Sequence, residues 1–374
     1  MLIKYDDLPL QQTTEPLAYV ATGDRNAYGR YWFNGHDPDG EYYFGIALGI
    51  YPNRDVMDCA LSIVRRDGTQ DSFRASRRCP KDRTDMRIGP FTLEITELMR
   101  TLRVTVDDNR TGMTADLRFT AYTPAHEEPP DFLRVGCRVV MHTQRFSQFG
   151  QWNGHVTVGG RRQEVRNAYG VRDRSWGWRW VGEPEGGASV PMLRQFFWLW
   201  SPIHWADTCT LYGLAEDEQG RRRKQMAQVF PVHAGGETFD PVDGSKILPL
   251  GVGSHRLIFE NGSRFVSAAE IDLIDGNRIR PLKLEVLLRF HLIGIGYNHP
   301  EWGHGMWKGE EVITSEHWKV ADLDRLEPKH QHVQQVVRAT DGERIGYGVL
   351  EQLIVGDYEP YGLVGPVDPP NQSR

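Results

Sequence analysis

Residues 169–180 read YGVRDRSWGWRW. One carboxylate, Asp173, stands between Arg172 and Arg174, and Trp176, Trp178 and Trp180 follow at every second position around Gly177. In an extended strand Tyr169, Val171, Asp173 and Ser175 share one face, while Arg172, Arg174 and the three tryptophans share the other. A carboxyl held in an apolar interior has its pKa raised and becomes a proton donor at neutral pH. The same carboxyl paired with an arginine of a neighbouring strand would be a fastener instead. A bulge at Gly177 would swap the faces beyond it and bring Trp178 to the Asp173 side.

Two further segments concentrate chemistry-bearing side chains. In FFWLWSPIHWAD (196–207), Phe196, Trp198 and Trp200 alternate with Phe197 and Leu199. A strand aromatic on both faces lies between two layers, or between a core and a bound ligand. GYNHPEWGHGMWKGEE (296–311) gathers Tyr297, His299, Glu301, Trp302, His304 and Trp307 on a stretch broken by Pro300, Gly303 and Gly305. Such a density of glycine and proline forbids a regular element, and irregular segments loaded with titratable groups are frequent sites.

A buried acid and aromatic faces have one chemical use in common. The acid protonates an alkene or a leaving hydroxyl, and indole faces stabilise the resulting cation. Addition of water, loss of water, double-bond migration and cyclisation all suit this equipment. On this reading Asp173 is the general acid. His299 or His304, with Glu301 beside them, handles water or the return proton. Tyr169, Trp176, Trp198, Trp200, Tyr297, Trp302 and Trp307 form the walls.

Other chemistries lack their signatures. The sequence contains no G-x-S-x-G elbow, no G-x-x-x-x-G-K-[ST] loop and no H-E-x-x-H helix. LGVGSH and IGIGYN contain G-x-G without the third glycine of a dinucleotide fingerprint. His330 and His332 of KHQH are a possible metal pair without an evident third ligand, and read better as surface histidines. No metal and no cofactor are expected.

The elements that must position these groups are strands. Short apolar runs with period-two alternation, as in Leu102/Val104/Val106 and Leu117/Phe119/Ala121, are separated by turn chemistry at Asp67-Gly68, at 107–112, Gly159-Gly160, Glu260-Asn261-Gly262 and Asp275-Gly276-Asn277. EITELMRTL alone could instead be helical. The expectation is an all-β chain with few short helices, whose two halves meet in the Gly/Pro-rich stretch 182–191. The halves are placed at 1–183 and 184–366, with a loose tail at 367–374.

Length and charge agree. A chain of 374 residues suggests two domains. A net charge of -6 argues against nucleic acid, which needs a basic surface. The basic run Arg221–Lys224 follows Glu216-Asp217-Glu218-Gln219-Gly220, the pattern of a solvated hairpin tip. Cys59, Cys79, Cys137 and Cys209 are too scattered for a zinc or disulfide framework, and no apolar run would span a bilayer. The opening MLIKYDD lacks the apolar region of a signal peptide, so the expected location is cytoplasmic. The expected partner is an apolar small molecule, with a homodimer as a possible assembly.

The motifs also carry a resemblance. YGVRDRSWGWR, the FFWLW strand and the late GYGVLEQLIVG resemble the AttH and carotenoid 1,2-hydratase-like group, and HPEWGHGMWKGE resembles a C-terminal motif of an uncharacterised branch of it. The resemblance implies two lipocalin-like antiparallel β-barrel or sandwich halves in tandem, with an isoprenoid or polycyclic ligand between or within them. The carotenoid hydratases show histidine after the acid, as in DHSWG, where this chain has Arg174. Asp173, Trp176 and Gly177 carry over and the histidine does not, which leaves His299 or His304 as substitutes. The function expected is a cofactor-independent lyase or isomerase of hydratase type acting on a terpenoid, steroid or polycyclic molecule. The alternatives are a carrier of such a molecule and a shape-directed cyclase.

Overall fold

A computed structural model describes residues 1–10, 16–107, 110–184, 186, 195–233, 237–342 and 344–370. Twelve strands arise in the first half: β1 (Ala27–His36), β2 (Tyr42–Tyr51), β3 (Val56–Arg65), β4 (Thr69–Arg78), β5 (Arg87–Ile88), β6 (Phe91–Glu97), β7 (Thr101–Asp107), β8 (Met113–Ala121), β9 (His126–Glu127), β10 (Asp131–Val135), β11 (Arg138–Val158) and β12 (Arg161–Arg179). Then follow β13 (Phe196–His204), β14 (Thr208–Glu216), β15 (Arg222–Pro231), β16 (Leu248–Pro249), β17 (Gly251–Phe259), β18 (Val266–Asp275), β19 (Arg278–His291), β20 (Glu311–Lys319), β21 (Val333–Asp341) and β22 (Arg344–Val355). Only 3-10 turns of three or four residues interrupt them among the described residues, and none is long and apolar enough to cross a membrane. The protein is all-β, built of two antiparallel, nearly closed barrel-like sheets in tandem.

The first sheet runs β20-β4-β3-β2-β1-β12-β11-β8-β7-β6-β5, and the second β16-β15-β14-β13-β22-β21-β19-β18-β17. The expected turns are where the sequence places them: Asp67-Gly68 joins β3 to β4, with Gly68 at φ 76, and Gly159-Gly160 joins the long pair β11 and β12. EITELMRTL is a hairpin, not a helix, and Met99 at φ 61 makes its turn. The stretch 182–191 falls mostly on residues outside those described, as do positions 108–109 of the 107–112 turn and the last four residues of the tail.

Strand β2 shows why two layers form. Its residues Tyr42, Phe44, Ile46, Leu48 and Ile50 enter the core of the first barrel, and Tyr43 and Ala47 enter a separate apolar layer shared with the second barrel. Both faces are apolar because both are buried. At the first core's centre the Trp152 indole is fully buried, with the rings of Phe33, Phe44 and Phe119 at 5.8, 5.7 and 5.1 Å, and its Nε1–H donates to the Asn34 carbonyl at 2.8 Å.

Polar groups stitch the shared layer. Tyr43 Oη–H donates to Gln334 Oε1 at 2.5 Å, Gln70 Nε2–H to the His291 carbonyl at 2.8 Å and Arg74 Nη2–H to the Ile293 carbonyl at 2.9 Å. Gly294 is needed at this seam, because a Cβ there would sit 2.4 Å from Gln70 Nε2 and 2.6 Å from Ser62 Oγ. The halves are also joined through a strand: β20, which follows most of the second sheet in sequence, pairs with β4 over its whole length and forms an edge of the first sheet.

Candidate active site

Between the sheets lies a cavity of about 550 Å³. One wall is the outer face of β1, β12 and β11. Arg30, Ser175 and Arg145 are direct cross-strand neighbours there, and so are Trp32, Asp173 and Ser147 in the next row. Strict alternation adds Arg179 to this face. Pairing with β11 runs unbroken from Ser175 through Trp178, so Gly177, at φ 126, makes no bulge, and Trp178 stays with Trp176 on the opposite face. The facing wall is β13. Phe197, Leu199 and Ile203 enter the second core, while Phe196, Trp198 and Trp200 line the cavity. Trp32 and Trp200 meet edge-to-face at 5.8 Å. Pro129, Pro130, Phe132 and Leu133, at the start of β10, form part of the rim.

Asp173 faces this cavity. Its Oδ2 lies 3.3 Å from Arg145 Nε, but the geometry gives that nitrogen no hydrogen bond. Arg145 is shared, with Asp131 at 3.7 Å and Glu128 at 3.9 Å. Burial pushes the Asp173 pKa up to about 6 against the pull of Arg145. The sequence left two roles open for this carboxyl, and the structure gives it a cavity position together with a poorly aligned cationic neighbour.

Across the cavity stands a second carboxylate. Glu351 of β22 accepts from Trp198 Nε1–H at 2.9 Å, His332 Nε2–H at 2.9 Å and Gln334 Nε2–H at 2.5 Å. Burial alone would raise its pKa, but these donors outweigh burial and hold it below the ordinary value. With His332 Nε2 committed to Glu351, its Nδ1 has no protein partner among the described residues. The sequence reading of KHQH as surface histidines is therefore corrected: His330 and His332 are both buried, and His332 lines the cavity.

The irregular segment 296–311 divides its side chains. Tyr297 faces the cavity, with the Arg30 guanidinium 4.6 Å from its ring centre. His304 lies one layer behind, its ring 4.6 Å from Tyr297. Its Nδ1 accepts from Arg30 Nη1–H at 2.8 Å and its Nε2–H donates to the Ile295 carbonyl at 3.0 Å. Burial, reinforced by Arg30, pushes its pKa well below the ordinary value, so the imidazole is neutral. His299 holds the loop: Nδ1 accepts from the amides of Glu301 and Trp302 at 3.1 and 2.9 Å, and Nε2–H donates to Glu316 at 3.0 Å. Glu301 is exposed, Trp302 borders a void of about 10 Å³, and Trp307 lies 41 % exposed under Arg78. None of His299, Glu301, Trp302 and Trp307 lines the large cavity.

A family model described as a family of unknown function, DUF8625, matches residues 2–364. The chain belongs to that family. No curated protein matches it in sequence. Among solved structures, this DUF8625 chain is similar to kievitone hydratase from Nectria haematococca at 13% identity and a TM-score of 0.51, covering 93% of this chain and 94% of that one. It is also similar to an AttH candidate from Nitrosomonas europaea at 14% identity and a TM-score of 0.54, covering 92% and 98%. At such identities the likeness establishes the fold alone, which this chain shares with both.

Two further expected wall residues lie elsewhere in the DUF8625 structure. Tyr169 shares the Asp173 face but sits at its far end, stacked on His204 at 4.5 Å. Trp176 and Trp178 line a smaller cavity of about 170 Å³. Conversely, Arg30, Trp32, Arg145, Arg179, His332 and Glu351 were not singled out as site residues from sequence, yet they line the large cavity. The run Arg221–Lys224 begins at the β14–β15 hairpin turn as expected, with Arg221, Arg222 and Arg223 exposed, but Lys224 turns inward, its Nζ 2.9 Å from Asp131.

Proposed function

We propose that this DUF8625 protein is a cofactor-independent lyase or isomerase of hydratase–dehydratase type, acting on a small molecule with a terpenoid, steroid or polycyclic body. The observation that carries this reading is the pairing, in one indole-walled cavity, of a carboxyl poised near neutrality with a carboxylate-backed imidazole. In hydration, the Asp173 carboxyl gives its proton to one alkene carbon. The indole faces of Trp198 and Trp200 stabilise the positive charge that develops on the other. Water attacks that carbon, and His332 Nδ1 takes the proton it sheds while Glu351 steadies the imidazolium. One water is added, and the proton on His332 returns to Asp173 through solvent. Dehydration is the same path reversed. The hydratase among the structural neighbours is consistent with this reading.

The Asp173–Arg145 contact favours a second reading, a carrier that holds such a molecule unchanged. One experiment separates the two. Protein purified from its own host is examined by native mass spectrometry, and any retained molecule is extracted, identified and incubated with fresh protein in oxygen-18 water. Label uptake, or a product differing by one water, with loss of both in Asp173→Asn, supports the enzyme. A retained molecule that never exchanges label supports the carrier.

A further inference from the structure

Among the described residues, two cations of the cavity have no carboxylate partner of their own. Arg145 and Lys224 are matched by Glu128, Asp131 and Asp173. Arg30 and Arg179 are not: among the described residues neither has a carboxylate within ion-pair distance. Arg179 lies 5.1 Å from the ring centre of Tyr28. Arg30 is 2 % exposed, its Nη atoms face the neutral His304, and its Nε is buried without a hydrogen-bond partner. Both guanidiniums lie on the Asp173 face, at the end away from Tyr169, and both line the cavity. A buried cation without a counter-ion, as Arg30 is, is costly, and the fork of a half-buried guanidinium such as Arg179 fits a planar oxyanion.

Resting on the reading of this cavity as a substrate site, we infer that the ligand carries a planar oxyanion, a carboxylate or conjugated enolate, gripped by Arg179, with Arg30, whose Nη atoms are held by His304, adding positive charge behind it. The anion then fixes the ligand's direction. Its charged end lies on the β1/β12 floor beside Asp173, and its apolar body lies along Trp198 and Trp200 of β13. Neither terpenoid nor polycyclic character alone would call for two unmatched guanidiniums. The ligand class narrows to apolar acids.

The test uses the intact chain and two probes, 1-pyrenebutyric acid and its methyl ester, followed by energy transfer from tryptophan at low salt and pH 8. The acid is expected to bind about tenfold or more tightly than the ester, since a charge-assisted pair is lost in the ester. Added salt should narrow the gap. Arg179→Gln should bring the acid down to the ester's level and leave the ester unchanged. Arg223→Gln, at the exposed rim, should leave the acid preference in place. Equal binding of acid and ester by the wild-type protein overturns the inference while the cavity reading stands. Failure of both probes to bind removes both. A preference lost in Arg223→Gln and kept in Arg179→Gln also overturns it.

Discussion

Arg145 Nε lies 3.3 Å from Asp173 Oδ2 without forming a hydrogen bond to it. The guanidinium lowers the cost of a buried carboxylate but does not remove it, and burial still pushes the Asp173 pKa up to about 6. A tightly forked pair would have held the proton off the carboxyl at all physiological pH and left it useless as an acid.

The first prediction concerns that proton. Asp173→Asn should fold and lose about 10²- to 10⁴-fold in turnover, the usual contribution of a positioned acid. Wild-type turnover should fall as pH rises through about 6, where the carboxyl loses its proton. Steady-state rates on the extracted substrate from pH 5 to 9 check both.

The same residue makes a stability prediction with the opposite sign. A carboxyl whose pKa is raised from 3.8 in the unfolded chain to about 6 in the folded one contributes stability at low pH. That contribution is lost as pH rises from about 3.8 to about 6, and the full loss amounts to roughly 3 kcal/mol. Asp173→Asn should therefore gain about 1.5 kcal/mol relative to wild type between pH 5 and pH 8, since about half of the loss is already complete at pH 5. Urea unfolding at the two pH values measures the difference. The variant is compared with wild type because buried neutral His36 and His291, with pKa values pushed down to about 4 and about 3, slope the other way. They favour the fold increasingly as pH rises towards 6.5, and the comparison cancels them.

Glu351 should be sensitive to the shape of its replacement. Glu351→Ala leaves three donors, from half-buried Trp198 and buried His332 and Gln334, without their acceptor and should cost about 3–5 kcal/mol. Glu351→Gln keeps much of the contact geometry and removes the charge behind His332. It should fold, bind ligand within a few-fold of wild type and turn over far more slowly. Equal turnover in Glu351→Gln and wild type would remove His332 as the base.

Gly294→Ala tests the seam between the barrels. A methyl group placed 2.4 Å from Gln70 Nε2 must break the Gln70–His291 bonds or push the halves apart. The expected loss is about 2–4 kcal/mol, from overpacking together with stranded polar groups. Chemical denaturation followed by tryptophan emission reads it directly.

Local rules made part of this legible in sequence. The parity of residues 169–176 put Asp173 on one face and Trp176 on the other, and the two-faced character of 196–200 foretold a strand between a core and a cavity. Both follow from the two-residue repeat of a strand. The burial of His332 is not legible locally, because it depends on Glu351 of β22 and on the irregular segment around Tyr297, and neither is its near neighbour in sequence. A local signal did exist for Glu351, one acid inside GYGVLEQLIVG, and for Arg30, one cation inside YGRYWF. An ionised residue within an apolar run is buried with partners or marks a site. Segment 296–311 drew attention for its density of titratable groups, but its backbone turns several of them to structural bonding within the loop.

Strand β20 has a last consequence. Because it lies along β4, the final rung of the first barrel is supplied by chain that comes after most of the second. Severing the protein at the joint would leave β4 as a raw edge, with its amide and carbonyl row open to any passing strand. The tandem is thus not a pair of interchangeable modules. The first half cannot be shuffled into another protein or inherited alone without losing the strand that closes its edge.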